Sequence, residues 1–345
     1  MKALVLESVG NLMLKEVEKP IAKKDEVILK VEASGICNSD IDRVFKTGTY
    51  SFPLIPGHEF SGKIIEIGDG VDPSYLNKRA TVFPLIPCGR CSSCKEGEYA
   101  RCDNYNYFGS RCNGGFAEYL AVPIWNLVCF SDTLDYEQAA MCEPASVAHK
   151  AIMRSALSSS DSILIQGSGT IGLLIAMWAL EKKVQNVVMV VRNKSKINLL
   201  NSLGIHKVID LSVESEETGL QRLGLDNKVD ITFDCVGSID SVSSCIQSAK
   251  KGGKVVLVGN PTKDMMFDRN IYWKILRNEL LLIGVWNSSY NAKVNDWKET
   301  ISAMENGTLN VTPLITHRFA LNESKQAFNI LRSKNELAIK VMFKL

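Results

Sequence analysis

Short runs in which hydrophobic and polar residues alternate occupy about the first 145 residues of the chain. In the run from Glu26 to Ala33, Val27, Leu29 and Val31 fall at every second position, as in a strand with one buried face. Similar runs are Phe60 to Gly68, Arg79 to Phe83 and Phe116 to Val122, and Gly and Pro residues separate them closely. This pattern predicts a β-rich first domain.

A different rhythm begins near residue 160, where strand-like apolar runs alternate with helical ones. The strand-like runs are Ser162–Gln166, Val187–Val191, Ile231–Cys235, Lys254–Val258 and Leu280–Val285, and the helical runs are Thr170–Glu181, Lys194–Leu203 and Ser238–Lys250. Strands that alternate with helices are typical of a doubly wound parallel sheet. We therefore predict an α/β domain after the β-rich one.

The last part of the chain does not continue this alternation. A helical run, Glu323 to Ser333, and a strand-like run, Ala338 to Phe343, have no further partner of the strand-helix type. We expect them to pack back on the first domain. The predicted domains are therefore residues 1–147 with 312–345, and residues 148–311.

Composition and charge are those of an ordinary globular protein. The 345 residues are 46% hydrophobic and 23% charged. The net charge is +2, and the sequence contains no long block of like charges, so no polyanionic partner is indicated. Met1 to Glu7 leads into a strand pattern without the features of a signal peptide, and the apolar run Ile171 to Leu180 has half the roughly 20 residues of a membrane span. Ten cysteines in such a chain favour thiols and metal ligands in a reducing cytoplasm.

The strand run ending at Gln166 leads into a glycine-rich turn that opens a helix. Its residues are Gly167, Ser168, Gly169, Thr170, Ile171 and Gly172, which match G-x-G-x-x-G. Gly167 permits a tight turn, Gly169 lets the backbone approach a pyrophosphate, and Gly172 lets helix and strand pack closely. The turn predicts a dinucleotide-binding Rossmann domain, although a glycine-rich packing turn is the alternative.

The strand after this turn should end in a carboxylate if the cofactor is NAD, because that carboxylate binds the ribose 2′-hydroxyl. Val191 occupies the expected position instead, and Arg192, Lys194 and Lys196 follow it. Arg192 can bind a 2′-phosphate bidentately, so this segment favours NADP(H) over NAD(H). The alternative is a solvated basic turn in an enzyme that uses NAD.

Four cysteines have the spacing C-x2-C-x2-C-x7-C, namely Cys88, Cys91, Cys94 and Cys102. Thiolates at this spacing can complete a tetrahedron around one Zn²⁺ at about 2.3 Å. Four protein ligands leave no open position, so we predict a structural zinc. An iron-sulfur cluster, a pair of disulfides and inert thiols are the alternatives.

A second group of potential ligands is scattered through the β-rich domain. Cys37, His58, Glu59 and Glu143 could supply the three protein ligands of a catalytic zinc that keeps its fourth position open, and Ser39 could start a proton path. Taken singly, these residues also fit a small buried thiol, a core imidazole and surface charges. Together with the cofactor turn they indicate hydride transfer, in which the metal polarises the reacting oxygen.

These motifs resemble those of the zinc-dependent medium-chain dehydrogenases, over nearly the whole chain. The shared motifs occur in the family's order: Gly57-His58-Glu59, the four cysteines, Gly114-Gly115-Phe116-Ala117-Glu118-Tyr119, Glu143-Pro144 and the Gly167 to Gly172 turn. The runs Cys37-Asn38-Ser39-Asp40, Phe108-Gly109-Ser110-Arg111 and Leu314-Ile315-Thr316-His317-Arg318 are similar to the polyol branch, including its enzymes of sugar phosphates.

The resemblance implies a GroES-like catalytic domain, a Rossmann domain and a homodimer or homotetramer. It also implies that Cys37, His58 and one glutamate hold the catalytic zinc, with Glu59 and Glu143 exchanging between direct ligation and contact through water. The absent strand-end carboxylate departs from the family members that use NAD.

We therefore expect an enzyme with two zinc ions per chain that transfers hydride between NADP(H) and the secondary alcohol or ketone of a polyol or sugar phosphate. Arg111, Lys46 and Arg43 are candidate cations for a substrate phosphate, with solvated surface positions as the alternative. An enzyme of unphosphorylated polyols or secondary alcohols, or a pentulose-phosphate reductase, would differ only in substrate. Two rivals of other classes are a zinc-stabilised nucleic-acid-binding protein and a nicotinamide-binding regulator that has lost catalysis.

Overall fold

The computed structural model describes residues 1–192, 194–225, 228–333 and 336–345. Over these residues the strands are β1 (Lys2–Ser8), β2 (Asn11–Glu16), β3 (Glu26–Ile36), β4 (Glu59–Ile67), β5 (Arg79–Val82), β6 (Leu85–Ile86), β7 (Asn106–Tyr107), β8 (Tyr119–Pro123), β9 (Leu127–Phe130), β10 (Ser162–Gln166), β11 (Asn186–Val191), β12 (Lys207–Asp210), β13 (Val229–Asp234), β14 (Ala249–Leu257), β15 (Leu281–Gly284), β16 (Ile315–Phe319) and β17 (Lys340–Lys344).

The α-helices in the same ranges are α1 (Asn38–Asp42), α2 (Ser92–Lys95), α3 (Tyr136–Ala140), α4 (Cys142–Ser155), α5 (Thr170–Glu181), α6 (Ile197–Ser202), α7 (Glu216–Arg222), α8 (Ile239–Ser248), α9 (Arg269–Arg277), α10 (Asp296–Glu305) and α11 (Ser324–Ser333). Short 3₁₀ turns and one π-turn, Arg43–Thr47, join them. Among these described helices, none has the length and apolar character that a membrane crossing requires.

The chain divides into two compact units, residues 1–146 with 288–345, and residues 147–287. The first unit contains a seven-stranded sheet in the order β16-β17-β3-β4-β5-β9, with β8 also paired to β3. Apolar side chains of β3, β4 and β5 fill its interior, including Val27, Leu29, Phe60, Ile64 and Val82. This is the β-rich domain that the alternating runs predict.

The C-terminal strand belongs to this first sheet, as the unpartnered last run suggests. β17 pairs antiparallel to β3, with Val341 opposite Ile36 and Phe343 opposite Ser34. Residues 288–311 also lie in the first unit, whereas the predicted boundary stands at residue 312. Tyr290 stacks on Phe83 at 4.6 Å between ring centroids, and the fully buried Trp297 packs edge-on against the same ring.

The second unit contains a six-stranded parallel sheet in the order β12-β11-β10-β13-β14-β15. Numbered within the unit, this is 3-2-1-4-5-6, the order of a doubly wound dinucleotide-binding sheet, and it confirms the predicted fold class. The order reverses between β10 and β13, and the Gly167 to Gly172 turn follows β10 directly. Ligands bind at such switch points, so the fold places the glycine turn where a dinucleotide is expected.

Candidate active site and metal centres

Three of the four predicted ligands of a catalytic metal lie together at the ends of β3 and β4. Cys37 directly follows β3, His58 directly precedes β4, and Glu59 is the first residue of β4. Strand β4 pairs with β3 so that Glu59 is opposite Gly35. The potential ligand atoms of Cys37, His58 and Glu59 all lie within 4.8 Å of one another. His58 and Glu59 are buried and Cys37 is half-buried. A thiolate, an imidazole and a carboxylate at this separation fit a three-ligand zinc site.

The position of Glu59 depends on a glycine and on a buried lysine. A Cβ atom on Gly35 would lie 2.3 Å from Glu59 Oε2, so only glycine leaves room for this carboxylate. Lys340 of β17 contacts the same oxygen, and both side chains are almost completely buried. Burial alone would favour the neutral lysine, but Glu59 raises the pKa of Lys340 above its ordinary value. The ion pair therefore fixes Glu59 next to Cys37 and His58.

A buried carboxylate, Asp40, organises the other two ligands. Asp40 Oδ2 accepts a hydrogen bond of 3.0 Å from the backbone N–H of Cys37, and Asp40 Oδ1 lies 3.2 Å from Nδ1 of His58. The two groups attract each other electrostatically at this distance, and among the described residues Nδ1 of His58 has no other partner. Burial opposes both charges, yet Asp40 raises the pKa of His58 and His58 lowers that of Asp40. Because Nδ1 faces Asp40, Nε2 of His58 is the nitrogen left available to a metal.

Glu143 lies close to this group but is not one of the three clustered ligands. It stands in the first turn of α4, is buried, and accepts a 3.3 Å hydrogen bond from the hydroxyl of Tyr107. Burial raises the pKa of Glu143 to about 7, and the charge of Glu59 adds to the rise, whereas His58 and Lys340 oppose it. The ring of Tyr107 lies 5.8 Å from that of His58, so Tyr107 and Glu143 line the same site.

Ser39 lies on α1, two residues beyond Cys37, and is held by Arg43. The Arg43 guanidinium donates to Ser39 Oγ at 2.9 Å and to Asp40 Oδ1 at 3.1 Å. Because Ser39 Oγ accepts this bond, its own hydrogen remains available for donation to another group. Lys46, by contrast, forms an exposed ion pair with Asp42 at 2.7 Å.

The four cysteines of the loop form a compact cluster of sulfur atoms. The sulfurs of Cys88, Cys91, Cys94 and Cys102 all lie within 4.8 Å of one another, and the Cys88–Cys94 and Cys91–Cys102 separations are 3.9 Å. A tetrahedral zinc with sulfurs at about 2.3 Å has edges of about 3.8 Å, so the spacing fits. Backbone N–H groups of Arg90 and Cys91 lower the pKa of Cys88 to about 6, which favours its thiolate form.

The glycine turn has the geometry that a pyrophosphate needs. Gly167 has φ +101°, and a Cβ atom on Gly172 would lie 1.9 Å from the carbonyl oxygen of Gly167. A Cβ atom on Gly169 would meet no atom within 4 Å, so the space beside this residue is open to a ligand. Thr170 and Ile171 form the first turn of α5, whose N-terminal N–H groups face that space.

Arg192 and Lys196 follow β11 beside this turn. The Lys196 ammonium donates to the Ser168 carbonyl at 2.8 Å, and Arg192 is exposed. A carboxylate does stand at the end of the neighbouring strand, because Asp210 of β12 is in register with Val191. Asp210 accepts hydrogen bonds from the backbone and the hydroxyl of Ser212, at 2.9 and 2.7 Å.

Sequence reasoning missed Asp40, Tyr107 and Lys340. Asp40 could have been found, because the three-residue spacing from Cys37 is that of a helix-capping carboxylate. A lysine among the apolar residues of β17 was a signal of a buried charge, although nothing local indicates Glu59 as its partner. Tyr107 carries no local signal, since its role depends on where the chain folds.

Comparison with known proteins identifies the family of the chain. The family profile "Alcohol dehydrogenase GroES-like domain" matches residues 23–132, and "Zinc-binding dehydrogenase" matches residues 170–306. Galactitol 1-phosphate 5-dehydrogenase of Escherichia coli (strain K12) is 30% identical over 99% of both chains, and sorbitol dehydrogenase of Bacillus subtilis (strain 168) is 28% identical over 99% of this chain and 96% of its own.

Solved structures show the same relationship. The crystal structure of galactitol-1-phosphate dehydrogenase from Escherichia coli has a TM-score of 0.93 over 100% of both chains. A zinc-binding dehydrogenase from Sinorhizobium meliloti 1021, bound to NADP, has a TM-score of 0.91 at 28% identity over 100% of this chain and 99% of its own. The chain therefore belongs to the zinc-dependent medium-chain family of alcohol and polyol dehydrogenases, and it is an oxidoreductase. The resemblance inferred from its motifs is confirmed.

Proposed function

We propose that this enzyme transfers hydride between NADP(H) and the secondary alcohol or ketone of a polyol or sugar phosphate, as a galactitol-1-phosphate 5-dehydrogenase does. The observation that carries this proposal is the convergence of Cys37, His58 and Glu59 in a member of this family. The class of small-molecule substrate follows from the polyol dehydrogenase relatives.

The three clustered residues would hold the catalytic zinc, and Glu143, which accepts a hydrogen bond from Tyr107, is the carboxylate that would exchange with Glu59 between direct ligation and contact through water. When bound, zinc supplies a Lewis acid that polarises the substrate oxygen. Asp40 and Lys340 keep His58 and Glu59 in position. Ser39 accepts a hydrogen bond from Arg43 and keeps its own hydrogen available, so its hydroxyl is suited to exchange a proton with the substrate hydroxyl.

The four-cysteine cluster would hold a second, structural zinc. The spacing of the four sulfurs supports a tetrahedral zinc. Four bound thiolates would leave the ion no position for a substrate, which supports a structural role. Its charged neighbours Lys95, Glu96, Glu98 and Arg101 balance one another, which disfavours a nucleic-acid-binding role for the loop. Zinc counting on the purified protein tests the total of two ions per chain.

The preference for NADP(H) rests on the residues after β11. Val191 presents no carboxylate to a 2′-phosphate, Arg192 directly after it is exposed, and Lys196 contacts the Ser168 carbonyl of the glycine turn. Replacement of Arg192 by Ala should weaken NADPH binding about 10-fold or more and leave NADH binding nearly unchanged, because one charge-assisted contact is lost. Unchanged NADPH affinity would refute the preference.

The phosphorylated substrate is supported by the similarity to galactitol 1-phosphate 5-dehydrogenase. An enzyme of unphosphorylated polyols is the second candidate, because the sorbitol dehydrogenase relative covers the chain equally well. A panel of ketoses and ketose phosphates, including pentulose phosphates, assayed with NADPH and with NADH decides between them. A higher kcat/KM for the unphosphorylated members would overturn the proposal.

We expect a homo-oligomer that uses the free edge of the second sheet. Among the described strands β15 pairs only with β14, and Leu281 and Leu282 on β15 are 57% and 40% exposed. An apolar edge strand with unpaired N–H and C=O groups is a template for pairing with a second copy of the chain. Leu282→Lys should lower the mass measured by light scattering to that of a smaller assembly, and an unchanged mass would refute this interface.

A further inference from the structure

The guanidinium of Arg111 is held between two aromatic rings. It lies 4.1 Å from the ring centroid of Tyr50 and 4.5 Å from that of Tyr105. Within the described part of the chain, the two rings are the only partners of this guanidinium, which has no hydrogen-bond acceptor and no carboxylate partner there. Two ring faces fix the plane of the guanidinium and leave its N–H edge available, which is the arrangement that binds a planar or tetrahedral anion bidentately.

The same turn that carries Arg111 also lines the candidate active site. The backbone N–H of Arg111 donates to the carbonyl of Tyr107 at 2.9 Å, and the Tyr107 hydroxyl contacts Glu143. Gly109, with φ +77°, packs so closely on Gly57 that a Cβ atom would lie 2.6 Å from the Gly57 carbonyl oxygen. Because Gly57 precedes His58, this close approach ties the turn to the metal ligands.

The ring contacts continue from Arg111 toward those ligands. The centroid of Tyr105 lies 6.3 Å from that of Tyr107, and the centroid of Tyr107 lies 5.8 Å from that of His58. On the outer side, the backbone N–H of Tyr50 donates to the carbonyl of the buried Ser110 at 3.1 Å, which holds this second ring against Arg111. Successive ring contacts therefore connect Arg111 to His58, one of the proposed metal ligands.

The structure separates the three cations that the sequence offers for a substrate phosphate. The Arg43 guanidinium forms an ion pair with the buried Asp40 carboxylate and donates a hydrogen bond to Ser39. Lys46 is 69% exposed and pairs with Asp42. Arg111 alone among these three has no anionic partner within the described residues.

We infer that Arg111, clamped by Tyr50 and Tyr105, binds the phosphomonoester of the substrate. This inference rests on the proposed function and assigns its phosphate subsite to one residue. The aromatic rings position the guanidinium in advance, so little side-chain entropy is lost on binding. A charge-assisted bidentate contact of this kind should contribute about 10- to 100-fold to kcat/KM for a phosphorylated substrate.

The test compares Arg111→Gln and Arg111→Lys with the native enzyme and with Lys46→Gln, which removes a nearby positive charge outside the clamp. Each protein is assayed with NADP⁺ on galactitol 1-phosphate and on galactitol. The assay is then repeated with the phosphorylated substrate that the native enzyme uses best and with its unphosphorylated counterpart. Inhibition by inorganic phosphate is measured in the galactitol assay. Circular dichroism and zinc content establish that each variant is folded and loaded.

We expect Arg111→Gln to lower kcat/KM about 10- to 100-fold for the phosphorylated substrate, mainly through KM, and less than about 2-fold for its unphosphorylated counterpart. Arg111→Lys should fall between the native enzyme and Arg111→Gln, and Lys46→Gln should match the native enzyme. Inorganic phosphate should inhibit the native enzyme and not Arg111→Gln.

Equal losses on both substrates, or a preference for the phosphorylated one that survives Arg111→Gln, would overturn the assignment while leaving the proposed function intact. If Arg111→Gln fails to fold, the same comparison is made with Arg111→Lys, for which an unchanged preference and native KM overturn it. A native enzyme with no preference for phosphorylated substrates would refute the sugar-phosphate function itself, and the subsite with it.

Discussion

Two glycines of the cofactor turn should respond in opposite ways to the same substitution. A methyl group on Gly172 would lie 1.9 Å from the Gly167 carbonyl oxygen, so α5 would have to move away from β10. A methyl group on Gly169 would meet no protein atom within 4 Å, and the backbone there has φ −86° and ψ −174°, which any residue adopts. The first change overpacks the fold, and the second fills the space intended for the pyrophosphate.

The magnitudes follow from these contacts. Gly172→Ala should lower the free energy of unfolding by about 1–3 kcal/mol, the usual cost of overpacking. Gly169→Ala should change it by less than about 0.5 kcal/mol, because the small loss at the helix N-cap offsets the reduced entropy of the unfolded chain. Gly169→Ala should nevertheless weaken NADPH binding about 10- to 100-fold, since the added methyl group keeps phosphate oxygens from the backbone N–H groups.

Urea denaturation gives the first quantity, and titration of NADPH fluorescence on the native and variant proteins gives the second. Each variant serves as the control for the other, because both add one methyl group to the same turn. Native NADPH affinity in Gly169→Ala would show that this turn does not hold the pyrophosphate. If Gly172→Ala has the stability of the native protein, then α5 does not pack against β10 as closely as described.

Two further substitutions test the metal centres. Lys340→Met leaves the buried Glu59 carboxylate without its partner, so the zinc-stripped protein should lose about 3–5 kcal/mol of unfolding free energy. The zinc-loaded protein should lose less, as measured by urea denaturation with and without zinc. An equal loss in both states would contradict a role for Glu59 at the metal. Cys94→Ser removes one ligand of the four-cysteine cluster, and should lower zinc content by one ion per chain and Tm by roughly 5 °C or more while the folded fraction keeps its kcat. A lost kcat at native Tm would reverse the roles of the two centres.

Local patterns predicted the parts of the fold that depend on local physics. The runs Ser162–Gln166 and Thr170–Glu181 coincide with β10 and α5, because strand periodicity, a glycine turn and a long apolar helix follow one another without interruption. β12 and α7 escaped prediction, since the four residues of β12 are too few to show a period and α7 is largely polar. The last strand was predicted to return to the first domain, and it pairs with β3.

The candidate site divides in the same way. Cys37, His58 and Glu59 were recognisable as ligand types, and the structure brings them together, but the sequence left Glu59 and Glu143 as alternatives. Only the pairing of β3 with β4, and of β17 with β3, places Glu59 in the cluster and Lys340 behind it. Contacts between residues so far apart in the chain have no local signature, because they depend on strand register.

Zinc content and activity of Cys37→Ser, measured on the same preparation, test the central claim most directly. The native enzyme should hold two zinc ions per chain and oxidise NADPH with a ketose or ketose phosphate. Cys37→Ser should hold one zinc ion and keep its fold, as judged by circular dichroism. Its activity should be lower by about 100-fold or more, because the zinc ion that offers an open position to the substrate is lost. Full activity in Cys37→Ser, or two zinc ions in the variant, would contradict the assignment of Cys37, His58 and Glu59 as the catalytic metal site.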